Sequence, residues 1–168
     1  MNAPAALPSP EFERFLAALG RLNYTFTNTE SLLVHLIAGL LKTGKEEATI
    51  VFLTLNTMRA RIDLVDRLAK RDGCPETLRT EIVGATRALA AQAGLRNRYN
   101  HCIYAFDADS GQAKSIMMRI ADRKTRLQLG EELAIDAEAL NGVEQAIQAI
   151  LDVNRRIWRI VTENRFPV

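Results

Sequence analysis

From Phe12 to Leu40 the apolar residues Phe12, Phe15, Leu19, Leu22, Phe26, Leu33, Leu36 and Leu40 recur at steps of three and four, with Thr29 filling the one polar gap. Side chains spaced in this way return to one face of an α-helix, so the stretch reads as an a/d seam held for about four heptads. Ser9-Pro10-Glu11 marks its start. Serine caps free amides, proline fits the first helical position and glutamate complements the positive end of the helix dipole. Lys42-Thr43-Gly44 ends it with a basic last turn and a glycine stop. The weak helix formers between Asn23 and Thr29 favour a break, yet the register passes through them unchanged, so the expectation is one long helix or a kinked pair.

Three more seams follow. Val51, Leu55, Met58, Ile62, Val65 and Leu68 form the second, closing near Asp72-Gly73. Pro75-Glu76 opens a third helix with the seam Leu78, Ile82, Ala85 and Leu89. A last helix starts at about Asp136 and carries Leu140, Val143, Ile147, Ile150, Ile157 and Val161 to Asn164. Between the third and fourth helices the pattern changes. Ile103 to Asp107, the turn-rich Ala108-Asp109-Ser110-Gly111, and Ser115 to Ile120 read as a two-stranded β-hairpin at about 103–120. The expected fold is all-α: an antiparallel bundle of four main helices, 9–166 as a single domain, with the hairpin as a small insert and residues 1–8 as a disordered tail.

Composition fits this picture and excludes several classes. At 168 residues, 48% hydrophobic and 25% charged, the chain has the make-up of one globular domain. A net charge of +2 is too small to identify a nucleic-acid binder alone, although arginine outnumbers lysine and is the better bidentate phosphate ligand. Cys74 and Cys102 lie in no disulfide framework or zinc spacing, so no metal or other cofactor is expected. The start MNAPAALP lacks a basic, long apolar secretory signal. The run from Leu32 to Leu41, interrupted by His35, is too short to span a bilayer, so the expected home is cytoplasmic, with no membrane partner.

Chemistry is concentrated in Leu95-Arg96-Asn97-Arg98-Tyr99-Asn100-His101-Cys102, which holds one of only two histidines. Continued in register, the third seam reaches Gln92 and Arg96, where an apolar stripe turns polar. A neighbouring stripe of Thr86, Ala90, Ala93, Asn97 and His101 puts Asn97 and His101 on one face, one turn apart. Arg96 and His101 are separated by roughly 140° around a regular helix, so they do not readily grip one small group. Either the helix loosens near His101, or the pairing is made across a twofold dimer cleft.

Arg96-Asn97-Arg98-Tyr99-Asn100-His101, at the end of a helix in a helical chain, resembles the motif of the HEPN superfamily (higher eukaryotes and prokaryotes nucleotide-binding), in which asparagine commonly follows the arginine. The residue-level match covers these six positions. Many HEPN proteins are metal-independent endoribonucleases acting as homodimers, often within toxin-antitoxin or antiphage systems. The resemblance therefore implies catalytic roles for Arg96, Asn97 and His101 in RNA cleavage. It also implies an antitoxin or nucleotidyltransferase as a further partner. Tyr104 follows His101 with two residues between, whereas family members silenced by nucleotidyltransferases usually have one.

General chemistry agrees with those roles. An imidazole exchanges protons near neutrality with a ribose 2′-hydroxyl or a leaving 5′-oxygen. A guanidinium stabilises charge developing on phosphate. Arg98, Asn100 and Tyr104 are the nearest candidates for RNA contact, followed by the basic run Arg119, Arg123, Lys124 and Arg126. Competing readings are a catalytically silent HEPN module that binds a nucleotide, RNA or protein, and a structural dimer whose polar cluster closes its own interface. His35 and Trp158 read as packing, and Arg155, Arg156 and Arg159 as a solvated face.

Overall fold

The computed structural model describes residues 9–107, 112–118, 120–123 and 126–168, with 120–123 and 126–129 described by backbone alone. The expected tail at 1–8 and the turn at 108–111 lie outside the described residues. The chain is mainly helical. It contains α1 (Pro10–Ser31), α2 (Leu33–Leu41), α3 (Lys45–Thr54), α4 (Met58–Ala69), α5 (Glu76–Asn100) and α6 (Ala137–Glu163), with β1 (Cys102–Phe106), β2 (Ala113–Met117), β3 (Ile120–Arg123), β4 (Arg126–Leu129) and β5 (Glu132–Ala134) between the last two helices. The described residues form two compact units, one from within 9–23 and 94–146, the other of 24–93 and 147–168.

Among the described residues six helices stand where four were expected, because two of the four seams are broken. The first breaks at Leu32, whose amide bonds to Thr29 O at 3.2 Å, a three-residue step in place of the helical four. Thr29 Oγ1 and Ser31 Oγ bond back to Thr25 O and Asn28 O, each at 2.8 Å, and such back-bonding bends helices. The register survives the bend. Phe12, Phe15, Leu19, Leu22, Phe26, Leu33 and Leu36 are all buried, as is Thr29 in the polar gap. Thr29 also accepts from Asn154 Nδ2 at 3.1 Å, so its burial leaves no unmet hydroxyl.

The second seam breaks at Leu55-Asn56-Thr57. Thr57 caps α4 by accepting from the amide of Ala60 at 3.2 Å, and Arg61 Nε donates to the carbonyls of Phe52 and Leu55 at 3.2 and 2.9 Å. This break resets the buried face: Ala48 and Phe52 on α3, then Ile62, Val65 and Ala69 on α4, are buried, whereas Val51, Leu55, Met58 and Leu68 are half-buried. The core of this unit also takes Ile82, Ala85, Leu89, Ile150, Ile157 and Ile160. His35 belongs to it, buried, with Nδ1 2.8 Å from Pro167 O and its ring 5.3 Å from that of Trp158.

In the other unit the expected two-stranded hairpin is instead part of a three-stranded antiparallel sheet of order β1-β2-β5, and β3 and β4 form a separate pair. Cys102 pairs with Met117 and Phe106 with Ala113. Ser115 to Ile120 reads as one continuous strand, but β2 leaves the sheet after Met117. There the amide of Met117 bonds to Glu131 O at 3.0 Å and that of Met118 to His101 O at 3.3 Å. Ser9 and Asp136 cap α1 and α6 as side-chain acceptors from Phe12 N at 3.2 Å and Ala139 N at 2.9 Å.

Candidate functional site at the end of helix α5

Helix α5 is unbroken to its last residue. The amide of His101 is shared between Asn97 O at 3.1 Å and Arg98 O at 3.3 Å, so the helical step persists to His101 while the last turn tightens. Asn97 and His101 are exposed one turn apart, where side chains four residues apart are neighbours. Both line a groove of about 310 Å³ with Gly94, Arg98, Met117 and Met118.

Arg96 reaches this face through its neighbour. Its backbone leaves the helix on another side, but Nη1 donates to Asn97 Oδ1 at 2.9 Å, so the guanidinium is tied to a side chain of the His101 groove. The half-buried stem of Arg96 and this bond narrow its freedom. The structure thus joins Arg96 to Asn97 by a hydrogen bond and sets Asn97 beside His101 in one groove, with Arg96 itself outside the groove lining.

The residues expected to assist in RNA contact have partners inside the fold. Arg98 pairs with Glu131 through Nη2 and Oε2. Asn100 and Asn23 exchange reciprocal amide hydrogen bonds at 3.0 and 2.9 Å. Tyr104 is half-buried and donates its hydroxyl to Tyr99 O at 3.1 Å. That carbonyl also receives Cys102 Sγ–H at 3.4 Å, so Tyr104 and Cys102 serve one of the carbonyls a helix leaves unmet at its end. Arg119 and Lys124 lie outside the described residues, as do the side chains of Arg123 and Arg126.

Tyr104 also closes an aromatic cluster beneath the helix end. Its ring is edge-on to Phe12 at 5.6 Å and to Phe15 at 6.5 Å, and Phe15 is edge-on to the buried Tyr99 at 5.1 Å. Burial pushes the Tyr104 and Tyr99 hydroxyls above the usual tyrosine range. The folded protein therefore keeps protons that the unfolded chain releases near its ordinary value of 10. Stability is full below that pH and falls as pH rises above it. Tyr104→Phe is expected to cost about 0.5–1.5 kcal/mol at pH 8 and to make the alkaline fall shallower. Urea unfolding at pH 8 and at about 10.5 reads both; an unchanged alkaline slope counts against this assignment.

Sequence reading missed Gly94, Met117 and Met118 as groove residues. Gly94 was accessible to it, since it lies three residues before Asn97 and seven before His101 on nearly the same face. Met117 and Met118 reach the helix end through the pairing of Cys102 with Met117 and the bond of the Met118 amide to His101 O. Among the described residues no three of His, Cys, Asp and Glu converge as metal ligands, and no helix is long and apolar enough to cross a membrane. No protein-family model, no curated protein and no solved structure matches this chain.

Proposed function

We propose that the protein is a HEPN-like, metal-independent endoribonuclease acting as a homodimer, with its long helices arranged as that superfamily's helical bundle. The observation supporting this reading is the exposed pair Asn97 and His101 lining one groove, with the Arg96 guanidinium tied to that groove through Asn97. In the reaction the ribose 2′-oxygen attacks phosphorus while the P–O5′ bond breaks. One His101 takes the 2′-hydroxyl proton, and the His101 of the second copy gives a proton to the departing 5′-oxygen. The products are a 2′,3′-cyclic phosphate and a 5′-hydroxyl, and solvent resets the two imidazoles. Arg96 stabilises the charge growing on the phosphate oxygens, and Asn97 holds Arg96 in place.

A 2′-hydroxyl nucleophile makes the activity specific for RNA over DNA. The test incubates purified full-length protein, beside His101→Ala and Arg96→Ala, with unstructured and structured RNAs in EDTA, and examines the new 3′ ends. Cleavage to cyclic-phosphate ends by the wild type alone is the expected result. Equal cleavage by all three proteins means a contaminant and ends the proposal.

A second reading, a catalytically silent HEPN module, draws support from the engagement of Arg98 by Glu131 and Asn100 by Asn23. The same experiment separates it: no cleavage, with RNA retained by the wild type and lost by Arg96→Ala.

A further inference from the structure

A second groove, of about 330 Å³, lies in the unit formed by residues 24–93 and 147–168, away in sequence from the motif. Lys70, which ends α4, and Arg79, Thr80, Val83, Gly84 and Arg87 of α5 line it. Thr80, Arg87 and Lys70 are exposed, and Arg79 is half-buried.

Gly84 explains how a fourth cation reaches the wall. A methyl group placed on it would lie 2.5 Å from Arg156 Nη2, 2.9 Å from Nη1 and 3.0 Å from Cζ, so the Arg156 guanidinium rests directly against the α5 backbone. A glycine inside a helix costs about 1 kcal/mol relative to alanine. Here that cost accompanies a positioned arginine. Nearby carboxylates are turned to other partners: Asp66 accepts from Thr86 at 2.7 Å, Asp152 pairs with Arg155, and Glu81 meets Arg159 at 3.5 Å. Of the four cations only Arg79 has a carboxylate partner among the described residues, the exposed Glu76 at 3.3 Å. The groove is therefore lined by cations, with no carboxylate in its wall, although the whole chain carries only +2.

We propose that this groove binds the phosphodiester backbone of a single-stranded nucleic acid. Arg79 and Arg87 are two helical turns apart, roughly 12 Å along the axis, which is too long for one phosphate. That length matches about three to four stacked nucleotides at the 3.4 Å spacing of one strand. The lining contains no aromatic ring on which a base would stack, so recognition is of the backbone and independent of sequence. Binding here depends on the cations of the groove and not on cleavage at the α5 end.

The test titrates the full-length protein into a fluorescein-labelled 12-nucleotide 2′-O-methyl oligouridylate, which has no free 2′-hydroxyl to be cut, at several salt concentrations and reads anisotropy. Four cation–phosphate contacts give a slope of log K against log salt of about −2.8, at about 0.7 per contact on a single strand. Lys70→Gln/Arg87→Gln is expected to bring it to about −1.4, and Gly84→Ala, which displaces Arg156, to lower it by about 0.7 while the urea midpoint stays or rises. Oligothymidylate of the same length binds equally. An unchanged slope in both variants overturns the proposal, as does ATP competing as well as an unlabelled 12-mer at equal phosphate concentration, or a duplex binding more tightly than the strand. Lys45→Gln, an exposed cation outside both grooves, keeps wild-type binding. Failure of cleavage with binding retained sinks only the nuclease reading, and an equal loss of slope in Lys45→Gln means diffuse surface charge and overturns this one.

Discussion

With an unstructured RNA in EDTA, His101→Ala is expected to cleave about 100- to 10,000-fold more slowly than wild type, the range for losing one general acid or base. In a homodimer the substitution removes both proton-transfer groups at once, so the effect belongs at the upper end. The fold should tolerate it. His101 is exposed, its side chain has no hydrogen bond among the described residues, and its structural duty is carried by backbone: the amide closes α5 on Asn97 O and the carbonyl accepts from Met118 N. The urea midpoint should therefore correspond to within about 0.5 kcal/mol of wild type, as for surface changes generally. Mixing His101→Ala with wild type gives a sharper measurement. If the cleft is shared, the heterodimer carries one imidazole and activity falls as the product of wild-type fractions. A linear fall with mixing ratio would exclude the shared cleft and leave each chain acting alone.

Arg61→Met should produce the largest loss of stability, about 3–5 kcal/mol, the cost of leaving one partner of a buried ion pair alone. Arg61 Nη1 lies 2.8 Å from Glu30 Oε1, and the two side chains are only 19% and 9% exposed. The same guanidinium sits 4.0 Å above the Phe52 ring and donates Nε to two carbonyls at the end of α3. Methionine keeps the stem and removes all of these. The double change Arg61→Met/Glu30→Leu should recover part of the loss, because an apolar replacement of a buried pair is often close to neutral. Recovery stays incomplete, since Phe52 O and Leu55 O still lose their donor. Urea unfolding of the two variants measures the coupling. A single variant within about 1 kcal/mol of wild type would mean that Glu30 finds water or another partner.

Arg61 also shows why the second seam misled a reading by periodicity. Val51, Leu55, Met58 and Ile62 step by three and four as a continuous helix would. The chain nevertheless stops at Thr54 and restarts at Met58, because the Thr57 hydroxyl takes the amide of Ala60 and Arg61 takes the open carbonyls of α3. Threonine is neutral in a pattern and decisive at a cap. The first seam stayed legible through its break because the bend at Leu32 preserved the face, and Leu33 and Leu36 lie as deeply buried as Leu22 and Phe26. The strands were harder to read. Their register depends on which backbone groups meet, and Met117 meeting Glu131 and Met118 meeting His101 follow from no local preference.

What the sequence determined by itself is the set of helical faces, the caps at Ser9 and Asp136, and the placement of Asn97 and His101 one turn apart. These depend on residues three or four positions from one another, and a helix turns such spacings directly into geometry. Only the tertiary structure decided the rest. It linked Arg96 to Asn97, committed Arg98, Asn100 and Tyr104 to partners in the fold, set Met117 and Met118 beside His101, and laid Arg156 against Gly84. Apart from the Arg96 bond, each of these contacts joins residues whose meeting depends on the path of the chain between them, and no spacing along the sequence encodes that path.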